Sequence, residues 1–182
     1  MQIAVLMKDG FEELEALGII DIARRLNVEC DIIGFGEEYV VGSHGVHIQA
    51  DRDIEDVDTF YDALVLPGGP ASTDLRDDPL VIDLIQQFDK EEKVIGAICA
   101  APIALERAGV IRGKRVTSYP SVREELTSCK YDFSTVQVDG RIITGNGPAA
   151  TFAFAFAVME ALGVDTSGLK EGMQYNHLMS HK

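Results

Sequence analysis

A cysteine at the end of a short apolar run is the residue in this chain best placed for chemistry. Residues 94–102 read VIGAICAAP, and IALERAG continues from Pro102 with helical character. Residues 94–98 have the composition of a buried strand. Proline suits the first turn of a helix, where its missing N–H costs nothing. Cys99 therefore stands where a strand turns into a helix. There a thiol meets free backbone N–H groups and the positive end of the helix dipole, which lower its pKa and favour the thiolate. The nucleophile of α/β hydrolases occupies the same kind of turn. The alternative is a buried structural cysteine, the usual fate of an unpaired thiol.

Other spacings carry less. His44 and His47 are three apart and His177 and His181 four apart, but no third ligand accompanies either pair, and no metal site is expected. DRDIEDVD (residues 51–58) lacks the glycine and closing glutamate of a calcium loop and reads as a solvated acidic turn, with Asp51 structural. GNGPAA (residues 145–150) approaches a dinucleotide glycine loop, yet Pro148 lies within it and a hairpin precedes it, so packing is the expected role. Cys30 falls in an apolar run and is expected to be inert. Cys129 lies in a polar stretch with no charge partner that would activate it.

The elements that must hold Cys99 follow from periodicity. Residues 2–7 (QIAVLM) read as a central strand and residues 28–35 as a second. Between them residues 12–26 show helical period, with Leu14, Leu17, Ile20 or Asp21, and Ala23 or Arg24 tracing its faces; a β-α-β start marks a parallel sheet. Residues 37–50 hold a hairpin around GSHG, and residues 54–60 a short helical turn. ALVL (residues 63–66) is a buried strand closed by the tight PGGP loop, whose glycines let bare backbone approach a neighbour. Residues 79–88 form an amphipathic helix with Val81, Ile82, Leu84, Ile85 and Phe88 inward. Residues 115–118 read as a strand, and Ser121 as the cap of a turn over residues 122–126. Residues 135–138 and 142–144 flank Asp139-Gly140 as a hairpin. A long helix ends at Gly163, and a weakly helical tail follows.

The chain has 182 residues, 46% hydrophobic and 25% charged, the profile of an ordinary soluble domain with a substantial core. One domain over residues 1–182 is expected, an α/β sandwich with helices on both faces of a mostly parallel sheet. Ligands of such sheets bind beyond the carboxyl ends of the strands. Three breaks fall there: after Met7, after Leu66, and at Cys99. A net charge of −14 argues against a nucleic-acid backbone or an anionic membrane as direct partner. Three widely spaced cysteines with no C-x-x-C make a disulfide framework or a zinc ribbon unexpected. The first residues lack the basic region of a secretory signal, and no apolar stretch has the length of a membrane span, so a cytoplasmic protein is expected.

Four stretches together resemble the ThiJ/PfpI family, nearer its DJ-1-like branch: AVLMKDGFEELEALGIIDIARR, ALVLPGG, AICAAP and DGRIITGNGPAATFAFAFAVMEALG. The resemblance spans about residues 1–163. It implies a flavodoxin-like three-layer sandwich, related to the class I glutamine amidotransferase core, and a homodimer or larger oligomer. It implies that Cys99 is a nucleophilic, oxidisable elbow cysteine. Glu15, from EELEA, is then the carboxyl that meets it, and Gly69 and Ala100 supply backbone N–H groups to an oxyanion pocket. Glu12 and Glu13 read as a solvated helix face. A buried, protonated Glu15 would donate a hydrogen bond to the sulfur and shuttle a proton, with the two titrations coupled.

This chain also departs from the family pattern. Ala100 stands where the protease-like branch has a histidine, which removes the thiol–imidazole pair of a peptidase or amidase. Tyr119 stands where the DJ-1-like branch often has a histidine; a phenol can hydrogen-bond but is not a base near neutral pH. His44 falls where some relatives carry an arginine that reaches towards the partner subunit's site; a plain polar turn residue is the alternative. The resemblance implies cofactor-free action on small reactive aldehydes, free or as adducts on thiols and amines (glyoxalase or deglycase chemistry). A redox sensor or stress chaperone built on the same cysteine is the second reading, and a peptidase the third.

Overall fold

The apolar runs of the sequence become the strands of one central sheet in the computed structural model, which describes residues 1–180. Along the chain these are β1 (Gln2–Leu6), α1 (Glu13–Arg25), β2 (Glu29–Gly34), β3 (Tyr39–Val41), β4 (His47–Gln49), β5 (Arg52–Asp53) and β6 (Ala63–Leu66). Then come α2 (Ala71–Asp77), α3 (Pro79–Lys90), β7 (Val94–Ile98), α4 (Pro102–Ala108), β8 (Arg115–Val116), β9 (Lys130–Tyr131), β10 (Val136–Asp139) and β11 (Ile142–Gly145). α5 (Thr151–Ala161), α6 (Ser167–Gly172) and α7 (Tyr175–Ser180) complete the described residues. His181, and with it the second histidine pair, lies outside them.

The main sheet has seven strands in the order β10-β11-β7-β6-β1-β2-β5. Every pairing in it is parallel except β10 with β11. Successive side chains of a strand face opposite sides. Accordingly Ile3 and Val5 pack with α1 and α5 (Ala16, Ile19, Phe154, Val158), while Ala4 and Leu6 pack with α2, α3 and α4 (Leu75, Ile85, Leu105). The three layers expected from the sequence are present. No helix among the described residues is long and apolar enough to cross a membrane.

The chain leaves β1 towards β2 on one side, whereas β6, β7 and β11 lie on the other. The carboxyl ends of β1 and β6 therefore flank a topological switch point, the usual ligand crevice of an open α/β sheet. The loop after β1, the PGGP loop after β6 and Cys99 after β7 meet there.

Four local points go beyond or against the sequence reading. Of the residues that trace the faces of α1, Leu14 and Leu17 are 64% and 37% exposed, and Ala16, Ile19, Ile20, Ile22 and Ala23 are buried. α2 was not expected after the PGGP loop, because ASTDLRD has no apolar stripe beyond Leu75. Residues 115–118 give only the short β8, which pairs with β9 outside the main sheet. The 3-10 turn Pro120–Glu125 begins after Tyr119 with no side-chain cap, so Ser121 does not cap it.

Candidate active site

Cys99 has a backbone φ of +62°. Asn27, Glu92 and Gln174 share a positive φ, but all three are exposed and follow the ends of helices. Cys99 is buried and follows a strand. A left-handed non-glycine residue costs about 1–2 kcal/mol and persists only where its surroundings enforce it. Here the Cys99 N–H donates to the Gly145 carbonyl at 2.9 Å, and the Cys99 carbonyl accepts from the Tyr119 N–H at 2.8 Å. The elbow is pinned on both sides, and α4 starts at Pro102.

Glu15 is brought to Cys99 by the inward face of α1 and is fully buried. Its Oε2 accepts the Gly68 N–H at 2.7 Å. Its Oε1 has no nitrogen or oxygen partner, and the Cys99 thiol lies against the carboxyl. Gly68 is required by this approach, since a Cβ there would lie 2.5 Å from Cys99 Cβ and 2.7 Å from Glu15 Oε2. Gly69 has φ +94°, and a Cβ on it would lie 2.5 Å from the Gly10 carbonyl and 2.6 Å from the Glu12 nitrogen. The backbone N–H groups of Gly69 and Ala100 act on the Cys99 sulfur and favour its charged form. Cys99, read from its turn, and Glu15, Gly69 and Ala100, implied by the family resemblance, therefore meet at one point.

The electrostatics differ from the lowered thiol pKa expected of a helix N-terminus. Burial first, and then the Glu15 carboxylate, push Cys99 up to about 12, while the Ala100 and Gly69 amides pull it down. α4 is too short and too far along the chain to reverse this. Burial also pushes Glu15 up to about 7, opposed by the Gly68 amide and the Cys99 thiol and assisted by the charge on Glu12. Two buried acids in contact cannot both ionise readily. The pair loses its first proton near pH 7; above that it carries one negative charge and shares the remaining proton between carboxyl and sulfur.

Glu12 and Glu13 correct the expectation of a solvated face. Glu12 is the N-cap of α1, and its Oε2 accepts the Glu15 N–H at 2.9 Å. Glu13 is 6% exposed. Its Oε2 faces His44 Nδ1 at 2.7 Å and the Ser43 hydroxyl at 3.1 Å, and its Oε1 accepts the His44 N–H. Burial alone would raise the Glu13 pKa, but these donors hold it down to about 2. The Glu13 carboxylate raises that of His44, which stays exposed at the tip of the β3–β4 hairpin.

Ligand atoms of Glu12, Glu13 and His44 lie within 4.8 Å of one another. Both Glu13 oxygens are already engaged by the hairpin, so the group is built as a brace. Tyr119 meets the elbow through its backbone; its ring lies against Gly147, where a Cβ would be 3.3 Å from Cδ2. That contact gives the GNGPAA stretch the packing role expected of it. A cleft of about 130 Å³ lined by Met7, Lys8, Phe35 and Tyr39 contains neither Cys99 nor Glu15. Cys30 is buried and pushed up to about 12 by that burial, and Cys129 is half-buried and also raised.

Sequence reasoning missed Gly68, Glu12 and Glu13 as builders of the site. The signal for Glu12 was its place directly before a helix; nothing in the spacing distinguished Glu13.

The DJ-1/PfpI family model matches residues 1–161. Drosophila melanogaster DJ-1beta, as a crystal structure, superposes with a TM-score of 0.90 at 34% identity, covering 94% of this chain and 96% of that one. A deglycase of Pyrococcus abyssi is 30% identical over 85% of this chain and 95% of its own length. A glutathione-independent glyoxalase of Caenorhabditis elegans is 30% identical over 87% of this chain and 86% of its own. The Arabidopsis thaliana DJ-1 homolog B is 32% identical over 95% of this chain, which spans 40% of that protein.

Proposed function

The chain belongs to the DJ-1/PfpI family, and from that premise we propose that it is a cofactor-independent enzyme acting on small reactive aldehydes, free or as adducts on thiols and amines. The observation that carries this reading is the buried Glu15 carboxyl against Cys99, with two backbone N–H groups on the same sulfur. The relatives named as a deglycase and a glyoxalase support the substrate class.

In the productive tautomer Glu15 holds the shared proton and Cys99 is the thiolate. The sulfur adds to the aldehyde carbon of a 2-oxoaldehyde, and the carbonyl electron pair moves to oxygen. The Gly69 and Ala100 amides stabilise that oxyanion in this proposal before Glu15 protonates it to the hemithioacetal. The Glu15 carboxylate then takes the C1 proton and returns it to C2 through an enediol, leaving a thioester. Water cleaves the thioester, so methylglyoxal plus water gives lactate and regenerates the Cys99–Glu15 pair. With Tyr119 in place of an imidazole, every proton in this sequence passes through Glu15 or solvent. Ala100 likewise leaves no thiol–imidazole pair for peptide hydrolysis.

Lactate formation from methylglyoxal by the purified protein, compared with Cys99→Ala, tests the reading. Loss of a nucleophile should lower the rate by roughly 10³-fold or more. Equal rates in the two proteins would overturn it.

A second reading rests on Glu15 Oε1, which is buried without a hydrogen-bond partner in the carboxyl that meets Cys99. A hydroperoxide that transfers one oxygen to Cys99 and leaves as water, or as an alcohol, would yield a sulfenate, and a second would yield a sulfinate, which a protonated Glu15 can hydrogen-bond. Site-resolved mass after mild peroxide separates this sensor from the enzyme: it requires Cys99 to oxidise ahead of Cys129. A homodimer, with α1 at its interface, completes the proposal.

A further inference from the structure

The acid that serves Cys99 and the amide that faces it are both tied to one residue, Glu12. Its N–H donates to the Gly68 carbonyl at 3.0 Å. In a trans peptide the C=O and the following N–H point in opposite directions. Holding the Gly68 carbonyl against α1 therefore turns the Gly69 N–H the other way, onto the Cys99 sulfur. A Cβ on Gly69 would lie 2.6 Å from this same nitrogen, so only glycine allows the loop to come this close to Glu12. The Glu12 side chain makes the second tie, since Oε2 caps the Glu15 N–H at 2.9 Å and fixes the start of the helix that carries the acid.

We propose that Glu12 is a positioning residue for the Cys99 site: its backbone aims the Gly69 amide, and its carboxylate holds the Glu15 amide in place and sets a negative charge beside the buried acid. The inference rests on the reading of Cys99 and Glu15 as the reacting pair. The groups that face Glu15 are Cys99 from the β7–α4 elbow, the Gly68 amide from the PGGP loop, and Glu12 from its own helix; a negative charge on Glu12 disfavours a second one on Glu15. Glu13 and His44 lie beyond, against Glu12, with His44 at the solvent edge. Capping is the ordinary work of an N-cap residue. What is specific here is that the cap is charged and its recipient is the amide of the buried acid.

The test is the pH profile of Cys99 alkylation by iodoacetamide, resolved by site with peptide mass so that Cys30 and Cys129 do not contribute. The wild type should show a limb near pH 7, where the pair loses its first proton. Glu12→Gln and Glu12→Ser both keep an acceptor over the Glu15 amide but remove the charge. Each should move the limb down by about half a pH unit. Glu12→Asp keeps charge and cap and should retain the wild-type midpoint, while Glu15→Gln should abolish the limb. Wild-type midpoints in the Gln and Ser variants, with the limb still lost in Glu15→Gln, would overturn the role of Glu12 alone. A limb that survives in Glu15→Gln would instead overturn the reading of the pair on which the inference rests.

Discussion

Glu15 is buried, raised from 4.5 to about 7, and in contact with another acid. An acid with a raised folded pKa binds its proton more tightly in the native state. Between pH 4.5 and 7 the folded chain therefore holds more protons than the unfolded one, and stability falls as pH rises through that window. The loss levels off above pH 7 at about 3 kcal/mol at most. Glu15→Gln keeps an acceptor for the Gly68 N–H but does not titrate. Its thermal midpoint should gain on the wild type by roughly 5 °C or more between pH 5 and pH 8, while lactate formation collapses. Parallel melting curves across that range would show that Glu15 titrates in the folded protein as it does in the unfolded chain, with no raised pKa. At this scale the sequence was half legible. Cys99 stood out because an apolar run, two alanines and a proline can only be a strand turning into a helix. Glu15 did not, because residues 12, 13 and 15 are all glutamate and helical period cannot say which turns inward. The family resemblance, not the spacing, singled it out.

Among the elements, the β3–β4 hairpin is the piece whose role was least visible in the sequence. GSHG announced a turn but not where the turn would dock. It docks on the loop before α1 and on the helix's first residue: the Ser43 N–H donates to the Phe11 carbonyl at 2.9 Å, the Gly10 N–H to the Val41 carbonyl at 2.8 Å, and the tip closes over Glu13. The hairpin therefore braces the loop that carries Gly10, Phe11 and Glu12, against which Gly69 is packed. Glu13 is held down to about 2 against an ordinary 4.5, so its contribution is fully present above pH 4.5 and is lost as pH falls through about 2. Protection factors of the Ser43 and His44 amides should hold from pH 6 to about 4 and drop as pH approaches 2. In Glu13→Gln they should already be low at pH 6, because the charged acceptor is gone. Full protection of the tip in Glu13→Gln would mean that the backbone contacts suffice. The other illegible elements have the same physical cause. α2 and the β8–β9 pair are short and weakly patterned, and tertiary contact decides them.

At the scale of the molecule, the layers were legible because strands buried on both faces read as continuous apolar runs. Which side of α1 faces outward was not legible, because helical spacing alone does not say whether a row of leucines lies on the core or the solvent face. Leu14 and Leu17 are exposed, and so, at 44%, is Phe152 at the start of α5. The two helices approach so closely that a Cβ on Gly18 would lie 2.1 Å from Thr151 Cγ2. Glu13 and Glu15 are buried, and Asp21 is paired with Arg25 at 2.6 Å. For a chain of net charge −14, an apolar stripe whose neighbouring charges are buried or neutralised is where a second identical chain can approach with least repulsion. Two-fold association would set the stripe of one copy against that of the other. Because Leu14 lies between Glu13 and Glu15, the interface would back directly onto the acid and its brace. Light scattering should give twice the 19.8 kDa chain mass for the wild type. Leu14→Glu with Leu17→Glu should give the single-chain mass with the sheet still folded by circular dichroism. A monomeric wild type at tens of micromolar would remove the dimer from the proposal and leave the Cys99–Glu15 site complete within one chain.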